Sequence, residues 1–326
     1  MRSRAYFRLI GCCRVEAARL RLGRAEDPRE RERRFSTSAM SNASINTRRV
    51  QRPALPKNDS AKPRAPLCVL TIAGSDSGGG AGIQADLRTI HALGAFAATA
   101  ISAVTAQNTL GVSAWRAMQP KLLAQQIAAV CEDLPVAVIK TGLLPGPAAV
   151  RAVADALKAY ARIPLVVDPV IGSTSGTRFL SATGLRALQE ELLPRATLVT
   201  PNWLEAAALS GLPVTTMAQV EAAGRAILKL TGCRAVLVKG GHAPGSTCED
   251  WLFLANGRTF SYAHSRIETI NTHGTGCVLS AAIATRLALG DELPEAVRAA
   301  TDFLQTALRK GRSRSWGRGR GPAFAG

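Results

Sequence analysis

The chain has 326 residues, 47% of them hydrophobic, and a formal net charge of +18. The length allows one large domain or two small ones, and the apolar share suffices for a core, which excludes wholesale disorder. The charge is no nucleic-acid footprint, because residues 67–308 hold 18 basic and 17 acidic side chains; the excess lies in residues 1–66 and 309–326.

Residues 1–66 mix Arg31, Arg33 and Arg34 with six acidic residues and later with Pro53, Pro56, Pro63 and Pro66. A mitochondrial transit peptide would be poor in acids. A secretory signal would need an apolar run that Arg8, Arg14, Arg19 and Arg21 interrupt. The segment is expected to be a disordered basic extension. Cys12, Cys13, Cys68, Cys131, Cys233, Cys248 and Cys277 form no CxxC pair and no zinc spacing, which fits a reducing compartment and a cytoplasmic protein. The uncharged stretch 91–115 is broken by Gln107, Asn108 and Gly111, so no membrane span is expected.

From residue 67 onward, short apolar runs alternate with amphipathic ones. Strands are expected at 67–72, 136–139, 165–167, 197–199 and 235–238; helices at 84–93, 120–131, 148–160, 182–193, 217–230, 277–289 and 294–310. Strand–helix alternation implies a parallel sheet covered on both faces, one α/β domain over residues 67–308. Residues 309–326 read as a basic, flexible tail. In such folds ligands bind at the carboxyl ends of the strands. Here those ends carry Ser75-Asp76, Lys140-Thr141-Gly142, Asp168-Pro169, Thr200-Pro201-Asn202 and Lys239-Gly240-Gly241-His242.

Two glycine segments could hold an anion. Gly80-Ala81-Gly82-Ile83-Gln84-Ala85 satisfies the dinucleotide fingerprint formally. That fingerprint also wants an acid about 20 residues on, and no Asp or Glu occurs between Asp86 and Glu132. The chain also has no Gly-Lys pair, so there is no Walker loop. The second segment, Asn271-Thr272-His273-Gly274-Thr275-Gly276-Cys277, opens a helix whose N–H groups and dipole suit an anion. Cys277 falls in the first turn, where a thiolate is favoured. Together with the polar strand ends, this segment points to phosphoryl transfer.

Residues 73–86 (Ala-Gly-Ser-Asp-Ser-Gly-Gly-Gly-Ala-Gly-Ile-Gln-Ala-Asp), Thr105-Ala106-Gln107-Asn108-Thr109 and residues 271–277 closely resemble the hydroxymethylpyrimidine/phosphomethylpyrimidine kinases of thiamine biosynthesis, in the ribokinase-like superfamily. The likeness runs from about residue 67 to 308. It implies a three-layer αβα fold with a mostly parallel sheet, a homodimer, Mg-ATP, and phosphorylation of 4-amino-5-hydroxymethyl-2-methylpyrimidine and then of its monophosphate. By position, the resemblance implies that Asp86 and Gln107 pair with the aminopyrimidine, that Gly74 lets it approach, and that Leu143 and Val170 pack its ring. It implies an anion hole at Gly274, Thr275 and Gly276, with Cys277 as the base where most superfamily relatives have an aspartate. Asp168, Asn202 and Lys239 would serve ATP, with Asp168 and Glu205 near Mg2+. Several relatives carry a Lys in the loop that here reads Gly172-Ser173-Thr174-Ser175-Gly176; if that Lys touches the substrate phosphate, a weaker second phosphorylation is expected here. Two other readings stay open: a pyridoxal-type kinase of the same superfamily, and a non-catalytic nucleic-acid binder acting through the Arg-rich ends.

Overall fold

A strand covered on both faces needs apolar residues at successive positions, and the central strands have them. A computed structural model describes residues 67–172, 176–242 and 245–325, all within the unit spanning residues 61–326. In β1 (Cys68–Asp76), Cys68, Leu70 and Ile72 enter one core and Val69 enters the other. In β7 (Ala235–Val238), Val236 and Val238 divide from Ala235 and Leu237 in the same way. Between these two strands lie β4 (Val136–Thr141), β5 (Leu165–Val167) and β6 (Leu198–Val199). All are parallel, in the order β1-β4-β5-β6-β7.

Four further strands, absent from the sequence reading, extend the sheet to nine. β2 (Phe96–Asn108) lies parallel to β1, and β3 (Gly111–Ala117) turns back antiparallel as an edge. At the other side, β8 (Thr247–Leu254) and β9 (Thr259–Ser265) form an antiparallel hairpin on β7. On one face pack α2 (Pro120–Asp133), α3 (Gly146–Leu157), α4 (Ala182–Ala187) with a following π turn, α5 (Trp203–Ser210) and α6 (Met217–Thr231). On the other pack α1 (Gly82–Ala92), α7 (Thr275–Ala288) and α8 (Leu293–Gly311). The result is the expected three-layer αβα arrangement; α5, eight residues long and mostly apolar without a clear polar face, is the one helix the periodicity did not announce.

Residues 1–66, expected to be a basic extension, lie outside the described residues. The expectation for residues 309–326 is corrected. Residues 309–311 close α8, and the chain then crosses the molecule as a strap. Trp316 stacks on Phe324 at 5.6 Å, Arg314 lies 4.2 Å over the Phe324 ring, and Ala323 and Ala325 are buried. Asn271 ties the strap down: its Nδ2 donates to the carbonyls of Gly311 and Arg314 at 2.8 Å, and its Oδ1 accepts from the Gly321 N–H at 3.1 Å. Arginine count alone misleads here, because two aromatic rings and a buried amide supply the contacts that hold it.

Candidate active site

The carboxyl ends of β1, β4, β5, β6 and β7 form one rim, and the start of α7 lies against it. The first glycine segment cannot serve as the anion hole, because a carboxylate of the chain already fills it. Asp76 accepts from the N–H groups of Gly78, Gly80 and Ala81 at 2.8–2.9 Å. The second segment has no such occupant. Gly274, with φ of 76°, is the N-cap of α7, and no side chain caps that helix. Small residues are required there: a Cβ on Gly274 would stand 2.0 Å from the Gly80 carbonyl oxygen, and one on Gly276 3.3 Å from Lys239 Nζ. The Thr275 N–H donates weakly to the Thr272 carbonyl at 3.4 Å, and the N–H groups of Gly276 and Cys277 face the positive end of the dipole with no side-chain cap.

Beside this helix start stands a charged cluster. Lys239 Nζ lies 2.9 Å from Asp168 Oδ1 and 3.8 Å from Glu205 Oε2. Asp168 also accepts from Thr200 Oγ1 at 3.1 Å, and its Oδ2 lies 3.5 Å from Ser280 Oγ. Burial works to raise the Asp168 carboxyl, but Lys239 and Lys140 hold it below the ordinary range. Burial, with Asp168 nearby, pushes Glu205 up to about 7 against the pull of Lys239. Burial opposes the charge on Lys239, which Asp168 and Glu205 nonetheless hold above the usual lysine range. Asn202 and Glu205 reciprocally cap α5, the Glu205 carboxylate accepting from the Asn202 N–H at 2.8 Å and Asn202 Oδ1 from the Glu205 N–H at 3.0 Å. Asn202, Glu205, Asp168, Lys239 and Gly276 therefore converge as the sequence led one to expect.

This donor set fits a hard divalent cation. It offers two carboxylates and two hydroxyls, and the ammonium lying between the carboxylates marks where positive charge is favoured. Among the described residues no group of three or more His, Cys, Asp or Glu side chains could hold a metal alone. Nucleotide oxygens and water would have to complete the shell.

A second group lies at the β1–β2 side. Leu143 packs on Gly74, where a Cβ would meet its Cδ2 at 2.8 Å, and it clusters with Ala103, Phe179, Val112, Trp115 and Val170. Trp115 meets Phe179 edge-on at 5.8 Å. The apolar wall expected from Gly74, Leu143 and Val170 is assembled. Gln107, part-exposed, has its main chain clamped by Ser77: Ser77 Oγ donates to the Gln107 carbonyl and accepts from its N–H, both at 2.8 Å.

Asp86 departs from expectation. It is 0% exposed, with Oδ2 accepting from Lys140 Nζ at 2.7 Å and Thr71 Oγ1 at 2.6 Å. It is the counter-charge of a lysine that is itself 0% exposed, while its other oxygen, Oδ1, is buried with no hydrogen-bond partner in the structure. Burial tends to discharge Lys140, while Asp86, Cys277 and Asp168 together keep its ammonium above the ordinary range.

Cys277 is the third residue of α7 and part-exposed. The expected thiolate is not favoured: burial pushes the thiol up to about 12, with Asp86 and Asp168 adding to the rise and Lys140 and the Gly82 N–H opposing it. Helix-start stabilisation loses to desolvation and to two nearby carboxylates. Asp76, Lys140 and His273 are structural members of this site that sequence reasoning left without a role; two of them sit in the motifs quoted above, but partners 54 to 197 residues apart leave no local signal.

The phosphomethylpyrimidine kinase family matches residues 76–323. The hydroxymethylpyrimidine/phosphomethylpyrimidine kinase of Rhizobium meliloti is 46% identical over 254 residues, 78% of this chain and 94% of its own. That of Haemophilus influenzae is 44% identical, over 74% of this chain and 90% of its own. Among solved structures, a Bacillus subtilis pyridoxal kinase with ADP superposes with a TM-score of 0.74 at 32% identity, covering 80% of this chain and 98% of that one. A Clostridium difficile phosphomethylpyrimidine kinase gives 0.66 at 39% identity, covering 74% and 99%. Fold and site define a phosphotransferase of ribokinase-like architecture. Within that class the chain belongs to the phosphomethylpyrimidine kinase family.

Proposed function

We propose that the protein transfers the γ-phosphoryl group of Mg-ATP to the hydroxymethyl group of 4-amino-5-hydroxymethyl-2-methylpyrimidine, and then phosphorylates the monophosphate, in thiamine biosynthesis. The observation that carries this reading is the uncapped start of α7, with the Asp168–Lys239–Glu205 cluster beside Gly276 and with Gln107 reached through His273, near the Gly74–Leu143–Val170 wall. The cluster side takes ATP through Lys239 and Asn202; the wall side takes the pyrimidine. Asp168 and Glu205 would hold Mg2+ in part through water, and the ion would neutralise phosphate charge when bound. The N–H groups of residues 274–277 receive the phosphoryl oxygens and remove the need for a Walker loop. Cys277 stands beside the substrate hydroxymethyl, and its thiolate form accepts the hydroxyl proton late, as the bond to phosphorus forms and the hydroxyl becomes acidic.

The reading includes a homodimer, for which Val104 and Leu110, 49% and 57% exposed on the β2–β3 hairpin, offer apolar surface. It includes no nucleic acid or membrane partner and a cytoplasmic location. Among the described residues no helix is long and apolar enough to cross a membrane. ATP consumption by the purified protein, with the aminopyrimidine or pyridoxal as acceptor and with or without Mg2+, tests the reading; turnover with pyridoxal alone would replace it with the pyridoxal-type kinase.

A further inference from the structure

His273 joins the pocket to the glycine segment in a way that decides how Gln107 can be oriented. Its Nε2 lies 3.0 Å from Asp76 Oδ2 and also 3.0 Å from the carboxamide atom placed as Gln107 Nε2, the amide N and O being interchangeable by a half-turn of the carboxamide. Asp76 is 4% exposed at the side chain. Burial alone would raise its carboxyl, but the His273 bond and the backbone N–H groups of Ala81 and Gly78 bring it below the ordinary range. It is therefore a carboxylate with nothing to donate, so the proton in the Asp76–His273 contact sits on Nε2. A protonated Nε2 has no lone pair left in the ring plane. An amide nitrogen facing it would set donor against donor, so Gln107 must present its oxygen to His273. The amide NH2 is then directed away from His273, and the oxygen keeps a second lone pair.

The ring that imposes this choice is itself fixed. Its Cδ2 lies over Gly80, where a Cβ would come within 2.3 Å. The strap holds its main chain from both sides, the His273 N–H donating to the Gly321 carbonyl at 3.0 Å and the Ala323 N–H to the His273 carbonyl at 3.2 Å. The Gln107 main chain is clamped by Ser77, and the His273 contact restrains the far end of its side chain, the carboxamide itself.

We infer that His273, oriented by Asp76, is a positioning residue that locks the Gln107 carboxamide with NH2 and a free oxygen lone pair toward the pocket, and so selects a ring bearing an amino group beside a ring nitrogen. This rests on the reading above that Gln107 meets the pyrimidine. An amino group donates to the free lone pair while the adjacent ring nitrogen accepts from the NH2; a ring without the amino group can use only one of the two.

The test measures KM for the aminopyrimidine, the inhibition constant of its analogue lacking the amino group, KM for ATP and melting temperature, in the wild type and in His273→Phe, His273→Gln and Gln107→Ala. His273→Phe keeps a flat ring and loses the donor. It should raise the aminopyrimidine KM on the order of ten- to a hundred-fold, the scale for a buried polar group left mispaired. The inhibition constant of the analogue and the ATP KM should move far less. His273→Gln restores an N–H donor and should recover most of the loss. Equal weakening of both ring compounds, or a glutamine variant no better than the phenylalanine one, would overturn the inference and leave Gln107→Ala still impaired. An aminopyrimidine KM unchanged in Gln107→Ala would instead overturn the reading of Gln107 itself, and this inference with it.

Discussion

Asp86→Ala removes the carboxylate that stands 2.7 Å from Lys140 Nζ, with both side chains 0% exposed. Breaking a buried pair from one side costs about 3–5 kcal/mol, because the remaining charge has lost its partner without regaining water. The lysine can escape by losing its proton. At pH 7 that costs about 1.36 kcal/mol for each unit below its ordinary value near 10.4, which caps the loss at roughly 5 kcal/mol. For Lys140→Met the same limit, counted up from a carboxyl value near 3.9, is roughly 4 kcal/mol. A domain of this size loses about 2 °C of melting temperature per kcal/mol, so each single variant should melt roughly 6–10 °C lower. Asp86→Leu combined with Lys140→Met removes both charges and should lose much less than the sum of the single losses. Thermal melts of the wild type, both single variants and the double variant measure this, with the aminopyrimidine KM taken well below each melt. The KM should change little in Asp86→Ala, because the carboxylate does not line the pocket. Unchanged melting with a large rise in aminopyrimidine KM would refute the argument and return Asp86 to the ligand.

Cys277→Ala should lower turnover by roughly 10²–10⁴-fold, the scale for a lost general base, and Cys277→Asp should retain more activity than alanine. Because the Cys277 thiol is pushed up to about 12, its thiolate share grows tenfold per pH unit up to that value. Wild-type kcat/KM should therefore climb through the alkaline assay range, whereas the aspartate variant, ionised throughout, should be flat; a flat wild-type profile would remove Cys277 as the base. Asn271→Ala strips partners from the Gly311 and Arg314 carbonyls and the Gly321 N–H. It should cost about 1–3 kcal/mol by denaturant titration and raise the aminopyrimidine KM through His273. Deleting residues 1–66 should leave turnover and both KM values intact, and any nucleic-acid affinity, read by a salt-dependent gel shift, should fall with the loss of their 17 basic side chains.

The five central parallel strands could be read from sequence because burial on both faces leaves unbroken Val, Leu and Ile runs, as in residues 235–238. The four outer strands could not. β2 reads FAATAISAVTAQN, small residues that suit a helix as well, and β8 carries Glu249 and Asp250, the latter buried and accepting from the Gly240 N–H at 2.6 Å. The phosphate side of the site was legible, since Asp168, Asn202 and Lys239 follow strand ends directly and a parallel sheet brings such ends together. The burial of Asp86 was not legible, because its position on α1 names a helix face but not what covers that face, which is a lysine on β4. Cys277 lies in the first turn of α7 as read, but its thiol is raised rather than lowered: first-turn geometry is local, whereas the burial and the Asp86 and Asp168 carboxylates that hold its proton come from elsewhere in the chain.

A chain growing from its amino end lays down all nine strands before residues 312–325 emerge. The sheet, both cores and the Asp168–Lys239 pair need nothing from that last stretch, while the main chain of His273 rests on Gly321 and Ala323. Folding during synthesis can thus complete the scaffold and the nucleotide side first and the substrate-reading corner last. A product that stops short at residue 311 would hold its scaffold and lack that corner, so translation errors near the carboxyl end would yield proteins that pass as folded yet fail as enzymes.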